Sequence, residues 1–270
     1  MRFDNKILFV TGGASGIGRA TAARVVAEGG RAAIVDLDLA TAQAVAADLP
    51  GCIGLAANVA DEAQVQAAVE ATVAQLGGID VVLACAGHAD FGLISEWDSA
   101  RFNRMLEVHV GGTFLTAKYT NPVMQSRGGG SLVTIASTAA LVGQKLNVPY
   151  GAAKAAITGF TRQFALEAAP AVRVNCVAPG RTQTGMTEPL MLARGGSLEK
   201  GAEMFGANVP LQRVAKAEEL AAVVCFLLSE DASFMTGATV VVDGGETIQS
   251  PPPLLEPGTG AGLARSVQEQ

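Results

Sequence analysis

Short runs of apolar and β-branched residues recur along the chain: KILFV at 6–10, AAIVD at 32–36, IGLAA at 53–57, VVLA at 81–84, SLVTI at 131–135, VRVNCV at 172–177 and TVVVD at 239–243. Within each run the hydrophobic positions are continuous instead of alternating, the pattern of strands buried on both faces of a parallel sheet. Between them lie Ala-rich stretches of helical composition at 17–28, 39–48, 61–76, 98–126, 150–168 and 216–229. Strand and helix therefore alternate, which predicts an α/β fold with a doubly wound, seven-stranded parallel sheet and helices as crossovers. One helix start is legible in detail. Asp61 caps the third helix with Gln64 reaching back in a capping box, and Gly77-Gly78 ends it. Two stretches break the alternation: 180–210, which reads as loop with Gly185, Pro189, Gly195 and Gly196, and the tail after Gly245.

Composition narrows the choices. A chain of 270 residues, 49% hydrophobic, is long enough for one large α/β core and leaves little for a second. The expected division is one domain over 1–245, which carries the binding and catalytic motifs, and a Pro/Gly-rich tail over 246–270, extended or disordered, with Pro251, Pro252 and Pro253. A formal charge of −6 opposes a nucleic-acid partner, which requires clustered Lys and Arg. Cys52, Cys85, Cys176 and Cys225 form no CxxC pair, and two His are too few for an obvious metal site, so structural thiols and no metal are expected. Without a run of about 18 apolar residues, the expectation is a soluble cytoplasmic protein with no membrane partner.

The glycine-rich stretch TGGASGIG at 11–18 directly follows the first apolar run. In a doubly wound sheet the first strand-to-helix turn faces a dinucleotide pyrophosphate, and side chains there would block the approach of backbone N–H groups. Gly12, Gly16 and Gly18 supply the tight turn, the phosphate approach and the close helix-to-strand packing, with Ser15 and Ile17 in the slots between. Asp36 ends the second strand eighteen residues after Gly18, where a carboxylate can accept both ribose hydroxyls. It would repel a 2′-phosphate, and Leu37 offers no cation, so NAD is favoured over NADP.

A second constellation is PYGAAK at 149–154. Tyr150 and Lys154 are four apart on one face of a predicted helix, which sets an ammonium near a phenol and should lower the phenol's pKa toward the range of a general acid/base. Ser137 closes the strand SLVTI at the carboxyl edge of the sheet, where open α/β sheets bind ligands, and can hydrogen-bond the substrate oxygen that Tyr150 protonates or deprotonates.

TGxxxGxG at 11–18, Ser137 thirteen residues before Tyr150, YxxxK at 150–154 and N-x-V-A-P-G-R-T-Q-T from 175 to 184 resemble the classical short-chain dehydrogenase/reductase family over about residues 5–245. The resemblance implies a Rossmann-like single domain and hydride transfer between nicotinamide and a carbonyl or alcohol carbon. It also implies Tyr150 as acid/base, Lys154 on the ribose and lowering the Tyr150 pKa, and Ser137 orienting substrate. By the same resemblance Pro179, Gly180, Thr182 and Thr184 hold the nicotinamide carboxamide, Asn58 stands where the family usually has an Asp touching the adenine, and Val59 beside it also contacts the cofactor. Ala86 and Gly87 stand in the N-N-A-G position, which here reads Ala84-Cys85-Ala86-Gly87. Gly87 keeps the close cofactor approach, Cys85 packs as a small apolar residue, and the usual Asn tie between strands is gone. His109 in VHVGGTF aligns with the Asn of the family's catalytic tetrad. Two readings of it stand side by side: an imidazole in a proton relay that titrates near neutrality, and a His packed in the core. His88 either lines the substrate mouth or sits exposed on its loop.

The function expected is an NAD-dependent oxidoreductase of a secondary alcohol or ketone, with a catalytically silent NAD-binding sensor or scaffold as the alternative. Met186, Leu190, Met191, Leu192, Met204 and Phe205 suggest an apolar lid and an apolar or cyclic substrate. The helices at 98–126 and 150–168 resemble the pair through which the family forms homodimers and homotetramers, with Ala152, Ala155, Ala156 and Gly159 allowing close approach.

Overall fold

In the computed structural model, which describes residues 1–249, seven parallel strands form one sheet in the order β3-β2-β1-β4-β5-β6-β9. They are β1 (Ile7–Thr11), β2 (Arg31–Asp36), β3 (Ile53–Ala56), β4 (Val81–Ala84), β5 (Gly130–Ile135), β6 (Val172–Pro179) and β9 (Thr239–Val242). β7 (Thr182–Gln183) and β8 (Ala215–Lys216) make a separate short parallel pair. The seven strands fall on the seven apolar runs. Every residue of β1 and β4 is buried, as strands covered on both faces require.

Helices α1 (Gly16–Ala27), α2 (Leu39–Ala47) and α9 (Ala217–Leu228) cover one face around Val10, Ile34, Val177 and Val224; α3 (Glu62–Leu76), α5 (Gly112–Ser126) and α6 (Val148–Ala168) cover the other around Phe9, Val82, Leu132 and Val174. The strand order reverses beside β1, with β2 on one side and β4 on the other. The crevice at the carboxyl ends of those strands is the ligand position in a doubly wound sheet.

Three details differ from the sequence expectation. Asp61 does cap α3 through Gln64 N–H at 3.2 Å. The Gln64 side chain, however, does not reach the Asp61 N–H: it accepts from Asn58 N–H at 2.9 Å and donates to the Asp61 carboxylate at 2.8 Å. The stretch 98–126 is not one regular helix. α4 (Ser99–Leu106) passes into a π-helical turn, Glu107–Gly111, before α5 begins. The loop expected at 180–210 carries α7 (Glu188–Gly195) and α8 (Leu198–Gly206). Two of its glycines serve packing, since a Cβ on Gly195 would stand 2.6 Å from Gly201 Cα and one on Gly201 would stand 2.7 Å from Met191 Cβ, while Gly196 ends α7 at φ +74°. Met191 is accordingly buried between the two helices and is unavailable to a lid surface, whereas Met186, Leu192 and Met204 are exposed. The tail expectation from residue 250 onward lies outside the described residues. No helix among them is long and apolar enough to cross a membrane.

Candidate active site

The turn between β1 and α1 has the geometry that bare backbone allows. Gly12 and Gly16 sit at φ +65° and +48°, and a Cβ on Gly12 would press within 2.9 Å of Ala86 Cα on β4's extension. Gly18 has no room for a side chain either, lying against Gly12 and Gly13 backbone. Ser15 precedes α1 without a side-chain cap, so the first-turn N–H groups of that helix are left facing the crevice, the arrangement that receives a phosphate. Thr184 hangs over the same turn, its Cβ 3.1 Å from where a Gly16 Cβ would be, so the segment after β6 closes the crevice from above. Ile17 turns instead toward the core beneath.

At the end of β2 the Asp36 carboxylate accepts from Ala14 N–H at 2.9 Å and from Leu37 N–H at 2.8 Å. Its position is thereby fixed beside the glycine turn, and Leu37 is 69% exposed with no cation to offer. Asn58 Oδ1 accepts from Ala60 N–H at 3.1 Å and keeps its second lone pair. Val59 packs its side chain with Val65 and Leu115, leaving only backbone for a ligand. Pro179 ends β6, Gly180 N–H donates to Val242 O at 3.0 Å, and Thr182 Oγ1 donates to Gly180 O at 3.1 Å. The glycine turn thus meets Ala86 after β4, Thr184 after β6 and the Asp36 carboxylate at the end of β2, and its free N–H groups and that carboxylate fit a dinucleotide.

Deeper in, Ser137, Tyr150 and Lys154 come together. Lys154 is buried, and its ammonium donates to Ile135 O at 2.8 Å while standing 5.5 Å from the centre of the Tyr150 ring. Burial draws Lys154 down to about 8. Tyr150 corrects the sequence expectation of a lowered phenol: burial pushes it up to about 12, with the Ser137 hydroxyl pulling it back down. The cost of burying a phenolate outweighs the help of an ammonium that is aimed at a carbonyl and is itself weakened by burial. Cys85, raised to about 11 by burial, holds its proton and is a packing thiol. The tie between β1 and β4 that the Cys85 region lacked in sequence is supplied from the other strand: Thr11 Oγ1 accepts from Cys85 N–H at 3.2 Å and Ala86 N–H at 3.4 Å.

His109 lies in the π turn, 1% exposed, with its ring edge-on to Tyr150 at 5.4 Å between centroids and 5.3 Å from the His88 ring. Nε2 lies 2.9 Å from His88 O and 3.3 Å from His88 N; the shorter contact, to an atom that only accepts, assigns the proton to Nε2 and leaves Nδ1 a bare acceptor. That Nδ1 is buried and has no partner among the described residues. The expected titration near neutrality is corrected: burial first, then the Lys154 charge, draws His109 down to about 3, so it stays neutral. His88 is half-buried and lowered chiefly by burial. Gly87 serves this imidazole as well, because a Cβ there would stand 2.9 Å from His109 Nδ1 and closer still to Cε1. Gly87→Ala is expected to destabilise the fold by about 1–3 kcal/mol through overpacking. A thermal melt should show the loss, and His109→Ala in the same chain should recover part of it; an unchanged melting temperature for Gly87→Ala would mean the ring moves aside freely.

Residues 12–247 match the family model described as enoyl-(acyl carrier protein) reductase. The chain is similar to "2-(S)-hydroxypropyl-CoM dehydrogenase 3" of Xanthobacter autotrophicus, 39% identical over 91% of this chain and 98% of that protein. It is similar also to D-threitol dehydrogenase of Mycolicibacterium smegmatis, 37% identical over 92% of this chain and 95% of that one. Among solved structures, the crystal structure of levodione reductase superposes with a TM-score of 0.84 at 35% identity, covering 92% of this chain and 100% of that chain.

Proposed function

The chain belongs to the classical short-chain dehydrogenase/reductase family and is an oxidoreductase of alcohols or ketones, and from that premise we propose that its cofactor is NAD and that Ser137, Tyr150 and Lys154 carry its chemistry. The observation that carries the reading is the convergence of those three side chains at the inner end of the crevice bordered by the glycine turn and Asp36. When bound, the nicotinamide supplies or accepts the hydride. Tyr150, whose phenol keeps its proton to about 12, enters the cycle as proton donor to a ketone oxygen. Ser137 donates a second hydrogen bond to that oxygen, stabilising the charge that develops on it. Lys154 brings positive charge to the phenol's side, and its own pKa of about 8 means that this charge is lost as pH rises above that value.

The choice of NAD rests on Asp36. Its carboxylate, pinned by two backbone N–H groups, faces the ribose position, and Leu37 adds no compensating charge. A 2′-phosphate about 4 Å away would meet like-charge repulsion of about 1–4 kcal/mol between water-like and surface-like dielectrics. Titration of NADH and NADPH by fluorescence is therefore expected to give NADH the tighter binding by about tenfold or more, as 1.4 kcal/mol corresponds to tenfold. Equal or reversed affinities contradict the cofactor assignment. Binding without turnover of any alcohol or ketone would instead favour the silent-sensor alternative.

The outer surface of α6 supports a homodimer or homotetramer: Ala152, Ala155 and Ala156 are exposed, and Leu166 is 78% exposed on the same helix. Four cysteines with free thiols suit a reducing, cytoplasmic setting.

A further inference from the structure

The substrate side of the cleft holds a polar arrangement that the chemistry above does not use. Thr138 follows Ser137 in a short 3-10 turn, and Asn147 precedes Tyr150 by three residues at the start of α6. Gln144, on the connecting loop, bridges them. Asn147 Nδ2 donates to Gln144 Oε1 at 2.9 Å, and Gln144 Nε2 donates to Thr138 Oγ1 at 3.3 Å. Thr138 and Asn147 are 2% and 7% exposed, whereas Gln144 is exposed.

The hydrogen-bond inventory of this chain is incomplete on the cleft side. An amide has two N–H donors and two carbonyl lone pairs. Gln144 spends one of each on its neighbours and keeps one of each, and Thr138 keeps its own hydroxyl proton. Asn147 Oδ1 is buried with no partner among the described residues. A purely structural role explains this poorly, since Asn147 stands at the N-cap of α6 yet makes no side-chain cap bond, which Ser or Asp there would provide. An exposed amide ordinarily samples several rotamers, whereas one held at both ends is already oriented for a ligand. The surroundings are apolar: Leu141, Leu146 and Val148 are 47%, 47% and 52% exposed around it. Leu146 O accepts from Gly92 N–H at 3.0 Å, which joins this loop to the segment after β4 across the mouth.

We propose that Thr138, Gln144 and Asn147 form a second polar subsite that binds another oxygen of the substrate, a hydroxyl or carbonyl on the carbon next to the reacting one. Ser137 and Tyr150 take the reacting oxygen; Thr138, next to Ser137 in the chain, and Gln144, bonded to Thr138, take its neighbour. A hydroxyl matches the free N–H and lone pair of Gln144 together. A carbonyl matches the Gln144 N–H and the Thr138 proton. The preferred substrates are then vicinal diols and their hydroxyketones or diketones on an apolar skeleton, and a ketone lacking the second oxygen leaves polar groups unpaired. The inference rests on the reading of this cleft as an alcohol or ketone oxidoreductase.

The test compares kcat/KM for ketones matched in skeleton, acetoin with 2-butanone and 2-hydroxycyclohexanone with cyclohexanone, in the wild type, Gln144→Met and Thr138→Val. The wild type is expected to favour the hydroxyketone of at least one pair by about ten- to a hundredfold, the cost of leaving a site's polar group without its partner. In Gln144→Met that ratio should fall toward one, mainly through a higher KM for the hydroxyketone. Gln144 is exposed, so the variant should melt like the wild type, and a change confined to the ratio is one that a structural role would not produce. A wild-type ratio near one, or an unchanged ratio in both variants, overturns the subsite while turnover of the simple ketones continues. Turnover of no ketone in either pair with either cofactor would overturn the enzymatic reading itself, and the subsite with it.

Discussion

Tyr150→Phe is expected to lower kcat for ketone reduction by about two to four orders of magnitude, the range a positioned acid or base contributes. The substitution keeps the ring, and with it the edge contact to His109 and the neighbourhood of Lys154, and removes one hydroxyl. Affinity for NADH should change by no more than about tenfold, the worth of a single hydrogen bond. The split between the two quantities is what assigns the role. Burial holds the phenol in its protonated form, so its proton is present throughout the neutral range; of the groups around it, the Lys154 ammonium, at about 8, is tied to Ile135 O at 2.8 Å, and His109, lowered to about 3, stays neutral, which leaves the phenol beside Ser137 as the donor assigned to the ketone oxygen. Stopped-flow hydride transfer with the variant checks whether the loss lies in chemistry. Near-wild-type kcat in Tyr150→Phe would remove Tyr150 from the mechanism, and a loss of NADH affinity as large as the loss of kcat would make it a binding residue.

What could be read from the chain depended on whether a residue's environment follows from its neighbours in sequence. The central strands were legible because a strand covered on both faces must be apolar throughout, so Phe9, Val82 and Val174 announce themselves, and the half-buried edge strands β3 and β9 keep the same apolar composition. The glycine turn was legible because Gly12 and Gly16 need positive φ, a demand written in residue type. The break at His109 was not, since a π turn inside a helix leaves the helical composition of 98–126 unchanged. Gly195 reads as a loop marker in the sequence and is a helix contact in the fold, a distinction that depends on α7 and α8 meeting in space. Thr11 holding β4, and Gln144 joining Thr138 to Asn147, were missed for a related reason. Ordinary polar residues carry no pattern, and only folding brings their partners within reach. The pKa of Tyr150 was misjudged because a Tyr and Lys four apart show the attraction of the charge and hide the depth at which the phenol is buried.

That same hidden depth gives His109 an effect on stability that grows in acid. In the folded protein its pKa is drawn from 6.5 down to about 3, by burial first and by the Lys154 charge second, and His88, itself lowered by burial, faces it from the β4 loop. An unfolded chain takes up a proton on this residue as pH falls through about 6.5, while the folded chain does not until about 3. Between those values the unfolded state binds more protons, so stability rises with pH and is lost as pH falls, by about 1.4 kcal/mol per unit. From about pH 7 to about pH 4.5 the expected loss from His109 is about 2–3 kcal/mol. Carboxylates lowered by their partners, such as Glu219 at about 2, add to acid lability at the lower end, so the informative quantity is the difference between two proteins. His109→Gln removes the ionisation and keeps an amide able to donate to His88 O, where His109 Nε2 now does. Urea unfolding of wild type and variant at the two pH values should show the wild type losing about 2–3 kcal/mol more than the variant, even if the variant is the less stable protein at neutral pH. Parallel losses in the two proteins would mean that the imidazole takes up its proton inside the fold. In that case it is charged beside Lys154 at mildly acid pH, and the neutral acceptor assigned to Nδ1 would be wrong.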